Sequence, residues 1–390
     1  MKKLLCIATM LLVAGICYAE KYTVKSAEDF KIAASKVAPG DEIIIADGTY
    51  TNWAVTISKN GTAEKPIVIK AANLERAVFT GVATQPMFKV TGSYVTIRAL
   101  NFKECVIDKA EGKNGILIQL DNTKHSVISD CIFEKNYAKV QFMQLIIISG
   151  NGEHNEVSNC SFTSNANVMD IQVRVAKEDC PQYTLIRNNK FTNKDKVTWN
   201  NVNGGECVQV GQDPVLLGKI AANTTVRNNR FINCNAEPEV VSNKSSSNKY
   251  IGNYFENCDG ELVMRGGHDC LVDSNEFKGG LGGVRVCGTG HTITHNTISD
   301  VKTGIRLYYG MASGKNEIGF YIAASNCTIT NNTINNVQTG ILVGDNKNED
   351  WAGKFDTKRY SSRVLQDIAP TNNTIKDNNF KNTVQTVVYQ

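Results

Sequence analysis

The residues best placed to do chemistry lie between Glu237 and Arg306. Glu237 and Glu239 flank Pro238, and alternate residues of a strand face the same way, so both carboxylates point to one side. Two carboxylates that close repel unless a cation sits between them, and hard oxygen donors suit calcium. A solvated acidic edge is the plainer alternative. Five residues on lies Lys244, and 21 residues beyond it lies Arg265. Arg265 (in ELVMRGG), Arg285 (in GGVRVCG) and Arg306 (in GIRLYYG) are spaced by 20 and 21 residues, the last beside Tyr308 and Tyr309. If that spacing is one turn of a stacked structure, the arginines form a stripe that offers a polyanion one guanidinium per layer. Arginines on a solvated flank are the alternative. His268, in Gly266-Gly267-His268-Asp269, is the histidine nearest the cluster, and is either part of the same binding surface or a turn residue.

A repeat supplies the stacked structure. The phrases SVISDCIFEKN (from Ser126), NEVSNCSFTSN (Asn155), TLIRNNKFTN (Thr184), TTVRNNRFINC (Thr224), NKYIGNYFENC (Asn248), CLVDSNEFKGG (Cys270), HTITHNTISD (His291), CTITNNTINN (Cys327) and NTIKDNNFKN (Asn373) share one form. Each is a β-rich stretch, then most often Asn two residues before Phe or Ile, then a polar turn. The anchors Phe231, Phe255, Phe277 and Ile298 are 24, 22 and 21 residues apart. Three short strands with their turns need about that length, which is one coil of a parallel β-helix. Lys244 and Arg265 therefore fall on adjacent coils at similar angular positions.

Asn189, Asn229, Asn253, Asn275, Asn296, Asn332 and Asn378 each precede the anchor by two, so the coils stack them about 4.8 Å apart. Side-chain amides in such a column satisfy each other and the backbone groups of the bend. Cys131 and Cys160 hold the same column in earlier coils, and Cys105, Cys234 and Cys258 share another, three residues past the anchor. These cysteines read as small buried ladder residues, with Cys234 and Cys258 the adjacent-coil pair that could bond. Steps of 40, 36 and 46 residues elsewhere imply loops inserted on the coils, where specificity is often carried. At the front, Ser26 with Asp29 makes a capping box before Phe30, Ala33, Ala34 and Val37, and Pro39-Gly40 stops the helix. That helix would cover the open end of the stack.

The 390 residues divide into a leader, residues 1–19, and one domain, residues 20–390, of about ten coils. Lys2-Lys3, the apolar run Leu4 to Ile16 and Cys17-Tyr18-Ala19 have the form of a secretory signal peptide. The run is too short to span a bilayer. A lipid anchor on Cys17 is the competing reading, and export to a periplasm is the expectation. Without Lys2 and Lys3 the formal charge of +4 becomes +2, which argues against a general nucleic-acid binder. No zinc signature, nucleophile elbow or dinucleotide loop is present, since Gly279-Gly280-Leu281-Gly282-Gly283 does not open a helix.

With these residues in view, the chain resembles polysaccharide lyase family six, the family of alginate lyases and chondroitinase B. The opening coils PGDEIIIADGTYTN (Pro39), GTAEKPIVIKA (Gly61) and GSYVTIRALNF (Gly92) are similar to that family's, and Glu237-Pro238-Glu239, Lys244 and Arg265 match its site. The resemblance implies a right-handed parallel β-helix. It also implies calcium held by Glu237, Glu239 and an Asn of the preceding coil, for which Asn203 is the match, with Glu206 an additional or alternative ligand. Lys244 would be the base and Arg265 the acid in β-elimination of a uronic-acid polymer.

Calcium would neutralise the uronate carboxylate and stabilise the charge left when the C5 proton departs. Lys244 must be neutral to accept that proton, and the nearby Arg265 and cation both disfavour its charged form. His268, Arg285, Arg306 and Tyr308 would bind the chain. Alginate is the expected substrate, dermatan sulfate the runner-up, and a monomer the expected state. A noncatalytic β-helix that binds an anionic glycan is the alternative outside enzymes. Hydrolysis fits poorly, because the cluster has Lys and Arg where paired acids would be needed.

Overall fold

The computed structural model describes residues 19–390 apart from 214, 216 and 217. The expected leader lies outside the described residues, save for Ala19. Mostly short strands, with two longer ones at Thr333–Asp345 and Asn379–Tyr389, wind into a parallel β-helix, seen as a 13-stranded sheet and a 23-stranded sheet whose members pair coil to coil. The first carries strands such as Leu185–Arg187, Thr225–Arg227 and Lys249–Ile251. The second combines two faces. One holds the anchors, as in Arg230–Cys234 and Tyr254–Cys258. The other holds the candidate site, as in Val208–Val210, Glu239–Asn243, Glu261–Met264, Gly282–Val286 and Thr303–Tyr308.

The 13 strands of the first sheet exceed the expected ten coils, because the opening coils lack the Asn-x-Phe phrase. Where the phrase occurs, the register is as expected. Phe102, Phe133, Phe162, Phe191, Phe231, Phe255 and Phe277 stack face to face at 4.6–5.1 Å. The 40-residue step is absorbed by a loop, since Phe191 still pairs with Phe231. In the asparagine column, Asn229 N and Nδ2 each donate to Asn253 Oδ1 at 3.0 Å, and Asn253 repeats this with Asn275 at 2.9 Å. Cys160 belongs to the column, its N–H donating to Asn189 Oδ1 at 2.9 Å. All ten described cysteines are free, Cys234 and Cys258 among them.

The capping helix is Ala27–Lys36, with Ser26 Oγ accepting from Asp29 N at 3.1 Å. Asp29 Oδ2 accepts from Lys25 N, one residue before the position expected of a capping box. Phe30 is fully buried against Trp53 and Phe88 of the first coils, so the helix closes that end of the core. No described helix is long and apolar enough to cross a membrane.

Candidate functional site

The register decides what the site-bearing face presents. Val208, Val241, Leu262, Val284 and Ile305 succeed one another and point into the core. Their neighbours Gln172, Gln209, Ser242, Val263, Arg285 and Arg306 form an outward column. Lys244 N donates to Val210 O and Arg265 N to Asn243 O, both at 2.8 Å, so the two side chains leave adjacent coils at the same rung position. The expected three-arginine stripe is only partly realised. Arg285 and Arg306 are in direct register, whereas Val263 is opposite Arg285 and Arg265 stands two residues further on, at the bend.

Glu239 joins the pieces. Its Oε1 meets Arg265 Nε at 3.3 Å and Arg285 Nη2, while Oε2 accepts from Ser242 Oγ at 2.6 Å. Burial by itself would raise its pKa, but the charges of Arg285, Arg265 and Lys244 and the Ser242 bond outweigh this and bring it down to about 2. Arg265 is further held by Phe320 O at 3.3 Å and lies 3.8 Å from the centre of the Tyr321 ring. Lys244 Nζ lies 3.4 Å from Glu206 Oε1. Arg265 and a cation were the expected neighbours of the Lys244 ammonium, and the structure adds the Glu206 carboxylate directly beside it. Glu206 Oε1 also accepts from Gln209 Nε2, which is linked in turn to Gln172.

Glu237 accepts from Gly205 N at 2.9 Å. Burial, and then the charge of Glu206, push its carboxyl well above the ordinary range. A Cβ at Gly205 would come within 2.6 Å of Val197 and 2.7 Å of Ala236, so only glycine lets this N–H approach. Asn203, two residues earlier, is exposed, and its carbonyl takes a bond from Gln141 Nε2 at 2.9 Å. Glu206 and Glu237 therefore adjoin, with exposed Asn203 two residues before Gly205 in the chain, while Glu239 is turned toward the arginines.

A hard cation fits the chemistry of this donor set. Glu206 Oε2 is buried without a hydrogen-bond partner, and burial and the Glu206 charge push the neighbouring Glu237 carboxyl up, so a cation between the two would relieve both costs. Among the described residues no three His, Cys, Asp or Glu are gathered to hold a metal, so the shell would need Asn203 or other oxygens.

The outer arginines are less open to a ligand than expected. Arg306 pairs with Glu261 through two bonds and with Asp345 at 3.1 Å. Gly282 makes room for Glu261, since a Cβ there would lie 2.6 Å from Glu261 Oε1. Tyr308 and Tyr309 are buried, Tyr308 between the Arg285 and Arg306 guanidinium groups, each 5.5 Å from its ring centre. His268 is half-buried, bonds Asp269 through Nδ1 at 2.7 Å, and lines a small recess with Lys219 and Lys315. Phe320, Tyr321 and Glu261 were not anticipated. The first two come from the loop after Tyr309, which with Trp351 and Phe355 builds a second apolar cluster over Arg265. Inserted loops carry no repeat to signal such a contact. Glu261 opens the strand that ends just before Arg265 and was readable only as the start of ELVMRGG.

Comparisons with known proteins agree with this architecture. The model of the chondroitinase B family matches residues 24–389. A mannuronic acid specific polysaccharide family 6 lyase from human gut microbiota is 25% identical, with a TM-score of 0.72 over 84% of this chain and 77% of that one. The family 6 alginate lyase AlyGC is 23% identical with a TM-score of 0.72, and this chain spans 47% of its length. A family 6 polysaccharide lyase from Pseudopedobacter saltans is 20% identical with a TM-score of 0.73, covering 94% and 92% of the two chains. No curated protein matches the chain. By the family match across nearly its whole length, this chain belongs to the chondroitinase B family of polysaccharide lyases.

Proposed function

We propose that the protein is an exported alginate lyase that cleaves its substrate by β-elimination, with Lys244 as base and Arg265 as acid. The observation that carries this reading is the placement of Lys244 and Arg265 at one rung position of adjacent coils, with Glu239 and Glu206 beneath them. Calcium, when bound, would neutralise the substrate carboxylate and the buried acids. Glu206 and Glu237, with Asn203, are the residues left to hold it, because Glu239 is engaged by Arg265 and Arg285. A cation held there would also compete with Lys244 for the Glu206 carboxylate. Lys244 Nζ takes the C5 proton of the uronate. Arg265, fixed by Glu239, the Phe320 carbonyl and the Tyr321 ring, is aimed by these contacts and hydrogen-bonds the departing O4 oxygen.

Alginate is favoured by the likeness to a mannuronic acid specific lyase. Dermatan sulfate is the second reading, favoured by the chondroitinase B family model. Assaying both polymers side by side for the unsaturated, ultraviolet-absorbing product tests the choice. Lys244→Ala is expected to abolish that product, and unchanged turnover would remove Lys244 as base. A chelator should lower the rate and added calcium restore it; indifference to chelator would remove the cation.

A further inference from the structure

We infer that the 13-stranded sheet carries a second binding site for a uronate-bearing polysaccharide, separate from the Lys244 cleft and centred on Tyr183. Four rings stack at one bend of successive coils: Tyr94 on His125 at 4.8 Å, His125 on His154 at 5.0 Å, and His154 on Tyr183 at 5.0 Å. Their planes lie within 13° of parallel, and all four residues hold positive φ between 52° and 56°. The column ends at Tyr183. Tyr183 N donates to Ala222 O, which puts Asn223 in the next rung, and Asn223 turns its amide aside to Gln182 Oε1 at 2.9 Å. The outer face of the Tyr183 ring is thus left without a stacking partner, and the residue is 51% exposed.

A shallow cavity of 350 Å³ opens beside that ring, with Leu185, Thr225, Arg227 and Lys249 among its walls. Leu185, Thr225 and Lys249 follow one another in register, and Arg227 stands two residues along from Thr225 on the same outward face. Arg227 and Lys249 are exposed, and among the described residues neither has an acidic group within 4.0 Å. The contrast with the neighbouring Arg187 is direct, since its Nη2 is 2.9 Å from Glu156. The site therefore offers a fixed apolar ring face and two unneutralised cations.

Those features suit a sugar chain that bears carboxylates. A pyranose presents axial C–H groups that pack on an aromatic face, and its carboxylate meets a guanidinium or ammonium. The stack beneath Tyr183 fixes the ring before binding, which lowers the entropy cost of holding it. The choice of uronate as the ligand's acid rests on the proposed function, whereas the site itself rests on the cavity, ring and cations. Lys249 follows Lys244 by five residues round the bend, so a polymer held here would feed the cleft from the adjoining face.

The test is retardation in native gels containing alginate or dermatan sulfate, beside turnover of a short oligosaccharide too small to reach both places. Tyr183→Ala and the double variant Arg227→Gln/Lys249→Gln are each expected to weaken polymer retardation by about five- to tenfold. Their rates on the short substrate should stay at the parent's. The double variant changes only exposed side chains, which guards against a folding defect in Tyr183→Ala, and thermal unfolding checks both. Equal retardation of parent and variants, or none for the parent in either polymer, overturns the site. Retardation lost in the variants, from a parent that releases no unsaturated product, keeps the site and overturns the lyase reading.

Discussion

Glu239 is the residue on which the site geometry converges, because it is the common partner of Arg265 and Arg285. Glu239→Gln preserves its shape and removes the charge, leaving two buried guanidinium groups without their counter-ion. Breaking a buried pair from one side typically costs about 3–5 kcal/mol, so the variant should unfold at markedly lower denaturant at neutral pH. The sign of the pH dependence follows from the depressed pKa. Glu239 stabilises the fold above the ordinary carboxylate value, and this contribution is lost as pH falls through about 2. The gap between parent and variant should therefore narrow steadily below about pH 4, where unfolded glutamates take up protons. A gap that stays constant through the acid range would contradict the charge clamp. Lyase activity should also fall in the variant, because Arg265 loses the partner that aims it.

Elements of the coil impose their own demands. Three residues past each anchor, the column that holds Cys105, Cys234 and Cys258 also holds Lys194, in register with Cys234. A lysine inside the helix is tolerable because Asp170 lies 2.7 Å from its ammonium, both being almost fully buried. Lys194→Met strands the Asp170 charge and should destabilise by about 3–5 kcal/mol, whereas Lys194→Met with Asp170→Leu should recover most of that loss. Denaturant unfolding of the two variants checks it, and equal loss in both would mean the pair matters by packing alone. The asparagine column makes a second demand. Asn253 accepts two bonds from Asn229 and donates to Val226 O and Asn275 Oδ1. Asn253→Ala leaves several buried groups unsatisfied, at about 1–3 kcal/mol each, and should lower the thermal midpoint more than an alanine at exposed Asn233.

At the scale of the whole molecule, stability is a sum over neighbouring coils, and the ends are the weak points. The first end is closed by Phe30 against Trp53 and Phe88. Phe30→Ala should cost about 3–5 kcal/mol and expose aromatic surface, seen as increased binding of a hydrophobic dye. The last coil, in Asn379–Tyr389, leaves Val384 81% and Tyr389 73% exposed, so its amides should exchange with solvent faster than those of Tyr254–Cys258. Two inserted loops between these ends supply the wall over Arg265, which makes the cleft a product of chain segments far apart in sequence.

What the sequence determined by itself was whatever repeats. Aromatic anchors and asparagines recur each coil, and a stack built on strand spacing converts that recurrence directly into register, columns and the meeting of Lys244 with Arg265. The separation of 21 residues placed those two on one rung because no insertion falls between them. Only the tertiary structure decided which heads touch: that Glu239 turns to Arg265 and Arg285, that Glu206 faces Lys244, and that Arg306 is neutralised by Glu261 and Asp345. These outcomes depend on the bulge beside Glu239, on the room left by Gly205 and Gly282, and on loops that carry no period. Periodicity specifies where a side chain leaves the backbone. Where a long charged side chain ends is set by which counter-charge it finds in three dimensions.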